Sequence, residues 1–75
     1  MIKRFKVNGI VSIGSEFRDN YNVNPFQKFR VLSIATNTRE HGGFDDIGQA
    51  LYDLWDIKNN TYFNSSLYDY ELEHS

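Results

Sequence analysis

The sequence predicts one small, mostly β domain of about five strands. Three observations predict it. Polar and apolar residues alternate near the N-terminus. Residues 26–37 are crowded with β-branched and aromatic side chains. Clusters of Gly, Asn, Asp and Pro separate the apolar runs. The competing arrangement is an α+β fold, with one helix at about 46–58 packed on a small antiparallel sheet.

The first strand rests on parity. Phe5, Val7, Gly9, Val11 and Ile13 share one parity, and Arg4, Lys6, Asn8 and Ser12 the other. That predicts a half-buried strand over about residues 3–13. Ile10 breaks the pattern beside Gly9, which marks a bulge or a sharp bend. Residues 14–25 read as a long loop, pinned to the body by Phe17, Tyr21 and Val23. Residues 26–37 read as the second strand. Phe29 and Val31 face one way there, Leu32 and Ile34 the other. A bulge near Val31-Leu32 reconciles them, and so does burial on both faces. Thr38 to Gly48 is a second loop whose glycines permit positive φ. Loops of this length are often functional.

Asp46 to Asn60 admits two readings. Ile47, Ala50, Leu51, Leu54 and Ile57 follow helical spacing, with Asp45 or Asp46 as N-cap and Asn59-Asn60 as a stop. Alternatively, Leu51 to Ile57 is a strand, Lys58-Asn59-Asn60-Thr61 a hairpin turn and Thr61-Tyr62-Phe63 the returning strand. Periodicity alone leans slightly to the helix. The tail predicts a turn, one tight helical turn and a short final strand. Ser65 or Ser66 would cap the turn, and Leu67, Tyr70 and Leu72 would face inward.

Seventy-five residues make one domain. A chain this short buries only about 60–65% of its unfolded surface, so its core is marginal. It has no cysteine, hence no disulfide or thiolate metal site to reinforce it. Homo-oligomerisation would add buried area. No apolar run is long enough for a spanning helix, and the basic start leads into a strand-like run rather than a signal peptide. The expected location is therefore the cytoplasm, with no membrane partner. Asn59-Asn60-Thr61 and Asn64-Ser65-Ser66 match the glycosylation pattern, as chance allows in an Asn-rich chain.

Charge divides the chain. Lys3, Arg4, Lys6, Arg18, Lys28, Arg30 and Arg39 face only Glu16 and Asp19 in residues 1–39, a balance of +5. Residues 40–75 hold eight acidic side chains and only Lys58, a balance of −7. The plain account is that the halves pack together and neutralise one another. The sharper account is an acidic face for a basic partner.

The segments Arg30-Val31-Leu32, His41-Gly42-Gly43-Phe44-Asp45, Leu51-Tyr52-Asp53-Leu54 and Ser66-Leu67-Tyr68-Asp69-Tyr70-Glu71-Leu72-Glu73 carry a resemblance. Together they resemble short, uncharacterised proteins of phages and prophages of Gram-positive bacteria. The layout is also similar to an SH3-like small barrel: opening strand, long loop, strand, second loop, hairpin, tight helical turn and closing strand. The resemblance spans about residues 26–73, implies no known activity, and favours the barrel over the α+β alternative.

Four functions follow as expectations. Catalysis needs a positioned base. His41, a few residues before Asp45 and Asp46, is the one candidate for base or metal ligand, and a solvated loop is its plainer reading. His74 reads as a tail residue. No enzyme, metal site or cofactor is expected. Protein binding fits better. SH3-type domains read proline-rich segments with aromatic ridges and acidic loops, and Tyr52, Asp53, Trp55, Asp56, Tyr68, Asp69 and Tyr70 are the right types. Filling the small core is the competing role for these rings. Asp45, Asp46, Asp53, Asp56, Asp69, Glu71 and Glu73 would as a set imitate nucleic acid toward a host nuclease or defence protein. The alternative is a nucleic-acid-binding barrel using Lys3, Arg4, Lys6, Lys28, Arg30 and Arg39. It requires Tyr21, Tyr52, Trp55 or Tyr62 beside the basic strand faces.

Overall fold

The structure, a computed structural model, describes residues 4–38 and 48–75. Within them the protein is mostly β. Six strands form one antiparallel sheet: β1 (Ile10–Ile13), β2 (Phe29–Thr36), β3 (Ala50–Asp56), β4 (Thr61–Tyr62), β5 (Leu67–Tyr68) and β6 (Leu72–His74). The order across the sheet is β4-β3-β2-β1-β6, with β5 also paired to β3. β4 and β5 share one edge of β3, meeting it at Trp55-Asp56 and at Leu51-Tyr52 respectively. A 3-10 turn at Asp69–Glu71 carries the chain from β5 to β6, at the opposite side of the sheet.

The order of elements is the expected one, but the barrel does not close. β6 ends one side of the sheet, and β4 and β5 end the other. Each of these edge strands has only two or three residues. Such short edges offer few ladder bonds with which to seal a sheet on itself.

The core lies on the inner face. Val11 and Ile13 of β1, Phe29 and Val31 of β2, and Ala50, Tyr52 and Leu54 of β3 are buried in it, joined by Phe5, Leu67 and Leu72. Each large apolar side chain buried this way contributes about 1.5–3 kcal/mol. The loop after β1 holds one short helix, α1 (Arg18–Tyr21), closed by Asn22 in the left-handed region at φ 54°. Phe17, Tyr21 and Val23 pin this loop to the core, as their spacing predicts.

The second strand has its bulge. The β2–β3 register slips between Val31 and Ser33, which lets Phe29 and Val31 face inward without forcing Leu32 to follow. Of the two readings of Asp46 to Asn60, the strand holds: β3 runs Ala50–Asp56 where the alternative placed a helix. Its buried residues are Ala50, Tyr52, Leu54 and Asp56, a period of two. Leu51 on the outer face, next to the inward Ala50 and Leu54, supplied the spacing that imitated a helical stripe. The chain turns after Asp56 and returns as β4, so the hairpin reading is the correct one.

The first strand is shorter than parity predicted. Asn8 sits at φ 70° and the Gly9 N–H donates to Lys6 O at 2.9 Å, so the chain turns tightly before β1 begins. A Cβ at Gly9 would lie 2.9 Å from that same carbonyl, which is why the turn takes glycine. Val7 is consequently exposed, whereas Phe5 on the far side of the turn is buried. The tail also departs from expectation at one residue. Leu67 and Leu72 face inward, but Tyr70 is 58% exposed because the 3-10 turn rotates it off the strand's alternation.

Candidate functional site

Three of the five described carboxylates in the second half, Asp56, Asp69 and Glu71, are turned inward. Asp69 is buried and accepts bonds from Arg4 Nε (2.5 Å), the Arg4 backbone N–H (3.0 Å) and the Tyr52 hydroxyl (2.7 Å). Burial pushes the Asp69 carboxyl up, but the Arg4 guanidinium, its N–H and Tyr52 outweigh this and hold it below the usual carboxylate value. Burial and the same carboxylate push the Tyr52 hydroxyl up to about 12. Glu71 accepts from the Tyr21 hydroxyl (2.6 Å) and from the Tyr68 N–H (2.9 Å). Burial and Glu71 raise the Tyr21 hydroxyl well above its ordinary value. Asp56 accepts from Gln27 Nε2 (2.8 Å) and Asn59 Nδ2 (2.7 Å). There too burial raises the carboxyl, and these donors more than reverse it.

These bonds change the expected site. Tyr52, Asp56 and Asp69 have their side chains inside the fold. The serine cap is absent as well: Glu71, not Ser65 or Ser66, holds the Tyr68 N–H ahead of the 3-10 turn, and Ser66 donates instead to Asp53. Asp53 lies on the outer face, where Ser33 and Ser66 hold its carboxyl below the usual range. Arg4 is likewise engaged: besides Asp69 Oδ1, its guanidinium donates to the Asp69 and Leu72 carbonyls at 2.5 and 2.8 Å. This ion pair joins the basic first half of the chain to the acidic second half.

Tyr68 and Tyr70 come together on the surface. Their rings stack nearly parallel, 8° apart in plane with centroids 5.6 Å apart, and Phe17 meets Tyr70 edge-on at 5.8 Å. The Tyr68 hydroxyl accepts from Asn37 Nδ2 at 3.1 Å, which fixes the base of the stack. Tyr70 stands between two hollows. One, of about 440 Å³, is lined by Arg4, Gln49, Asp69 and Tyr70. The other, of about 150 Å³, is lined by Gly14, Ser15, Glu16, Phe17, Tyr70 and Glu73. A third hollow of about 290 Å³ lies between Phe5 and His74, with Arg4, Lys6 and Ile10 along it. Glu16 and Phe17 were not among the predicted site residues; their place in a long loop was the available signal.

A second group lies at the other end of β3. Arg30 pairs with Trp55, and Trp55 with Tyr62, so the three sit side by side on the outer face. Trp55 and Tyr62 meet edge to face at 5.1 Å. Lys28 lies on the same end of β2, its ammonium donating to Ser75 Oγ. Lys6 is exposed near the turn before β1. Lys3, Arg39, His41, Asp45 and Asp46 lie outside the described residues. No helix among the described residues is long and apolar enough to cross a membrane.

The fold and these surfaces define a small antiparallel β domain with an exposed aromatic ridge flanked by hollows. Comparison with protein-family models, curated proteins and solved structures found no match to the chain.

Proposed function

We propose that the protein is a non-enzymatic binding module that engages a protein partner through the Tyr68–Tyr70 ridge. The observation that carries this reading is Tyr70, 58% exposed, stacked on Tyr68 and standing between two hollows. A rigid aromatic ridge with recesses on both sides fits an extended, proline-rich segment, whose polyproline turn presents side chains at regular intervals. Glu16 and Glu73 beside the smaller hollow would orient an Arg or Lys of that segment. Tyr is also a residue type that dominates binding hot spots.

The resemblance to short phage and prophage proteins gives the setting: an accessory protein that occupies a host protein in the cytoplasm. The charge-mimic version of this idea has less support. Asp56, Asp69 and Glu71 are internal, which leaves Asp53 and Glu73 as the exposed described carboxylates of the second half.

The test is NMR titration of the labelled protein with proline-rich peptides carrying one Arg at either end. Shifts clustered at Phe17, Tyr68 and Tyr70, lost in Tyr70→Ala with the rest of the spectrum unchanged, are the expected result. Peptides that shift nothing near Tyr70 would sink the reading. Capture from host lysate at low and high salt then identifies the partner.

A further inference from the structure

The row at the far end of β3 is a second surface with a different chemistry. Register places Ile10, Arg30, Trp55 and Tyr62 on neighbouring strands, in that order, on the outer face. Neighbouring strands are about 4.8 Å apart, so a cation and two rings stand in line at that interval. Tyr62 is 71% exposed. Lys28, immediately before β2, is exposed with its ammonium donating to the Ser75 hydroxyl, and Lys58 sits in the turn that joins Trp55's strand to Tyr62's. The nearest carboxylate in sequence, Asp56, points inward and is spent on Gln27 and Asn59. Asp53 lies further along β3, tied to Ser33 and Ser66. Although the protein is net acidic, this end of the sheet is locally basic.

We infer that this row binds single-stranded nucleic acid. A base stacks on the Trp55 or Tyr62 ring, and the adjoining phosphates meet Arg30, Lys28 and Lys58. Flat rings beside cations suit a nucleotide, because every base offers a π-face and every phosphate a charge. With Tyr62 standing 71% exposed on the outer face, the row offers rings on which bases can stack. The surface is independent of the Tyr70 ridge: Leu51, which pairs with Tyr68, and Trp55 are four residues apart on β3, about 13 Å.

Trp55 is the sole tryptophan of the chain, so its fluorescence reports this row alone. The full-length protein is titrated with oligothymidylate at several salt concentrations, following Trp55 emission and the anisotropy of a labelled oligonucleotide. Expected are quenching on binding and a log–log salt slope of about −2, as three neutralised phosphates give on a single strand. Arg30→Gln should weaken binding and flatten the slope by about 0.7. Tyr62→Ala, an exposed change that leaves the core intact, should weaken binding about tenfold, while Tyr70→Ala should leave it unchanged. Absence of quenching and of an anisotropy rise at low salt overturns the inference. So does a concentration-dependent shift of Trp55 emission without oligonucleotide, which would show a second copy of the chain covering the row.

Discussion

The tripeptide Leu-Tyr-Asp occurs twice, at 51–53 and 67–69, and the two copies are used in opposite senses. In the first, Tyr52 points into the core while Leu51 and Asp53 stay on the outer face. In the second, Leu67 is buried, Tyr68 is half-buried and Asp69 turns inward. The copies lie on adjacent antiparallel strands, Leu51 opposite Tyr68 and Tyr52 opposite Leu67. The Tyr52 hydroxyl of one therefore donates to the Asp69 carboxylate of the other. The lesson is that parity within a strand, not residue type, decides whether an aromatic–acidic pair becomes core or surface.

The largest expected difference is between the two aspartates. Asp69→Ala takes the acceptor from Arg4 Nε, from the Arg4 N–H and from the buried Tyr52 hydroxyl at once, and should cost about 2–3 kcal/mol. A domain of this length has roughly 4–11 kcal/mol in total, so the loss is severe. Asp53→Ala breaks exposed contacts to two serines and should cost under about 1 kcal/mol. Urea denaturation of both variants measures the gap, and equal losses would break the contrast.

The two tyrosines should differ next. Tyr52→Phe leaves a buried carboxylate short of a donor and should cost about 1–2 kcal/mol. Tyr68→Phe, which removes one neutral acceptor from the Asn37 amide at a half-exposed site, should cost less, about 0.5–1 kcal/mol.

Titration sharpens the contrast from both ends. The Asp69 carboxyl is held below its unfolded value of 3.8, so its stabilisation is present above that value and fades as pH falls through the folded one. Asp69→Asn should flatten the acid limb of a stability–pH curve. Tyr52 has the opposite sign. Its hydroxyl rises from 10.0 to about 12, so its contribution is full below pH 10 and is lost as pH climbs toward 12. An alkaline limb that persists unchanged in Tyr52→Phe would assign that loss elsewhere, Tyr21 being the next candidate. The smallest effect on stability is expected at the ridge: Tyr70→Ala should change the unfolding free energy measured in urea by less than about 0.5 kcal/mol while removing the peptide response.

Local patterns were legible in the sequence, and distant partnerships were not. Alternation at Val11 and Ile13, the conflict between Val31 and Leu32 that required a bulge, and the compact turn before Leu72 could all be read from neighbours alone. β3 was ambiguous because Asp56 fills an inward position where an apolar residue would have completed the alternation. The site was harder. Nothing in the sequence says that Asp69 will find Arg4, 65 residues away, or that Glu71 will find Tyr21, 50 residues away. Those bonds removed two carboxylates from the expected acidic face, and Gln27 removed a third, Asp56. Tyr70 was placed inward with Leu67 and Leu72 around the expected helical turn, but the 3-10 turn that forms there leaves its ring outside.

The open sheet gives Arg4 a further consequence. The Gly14 N–H bonds to Glu71 O, so the next carbonyl on β6, that of Leu72, looks away from β1, and the Arg4 guanidinium already occupies it. An unpaired strand edge is a template for another chain, and a charged side chain laid across its acceptors is a common guard against that. One guanidinium thus serves as a stopper on intermolecular strand growth as well as a partner for Asp69. Arg4→Ala should convert a clear solution into one that scatters light and binds thioflavin, at concentrations where the unaltered chain does neither.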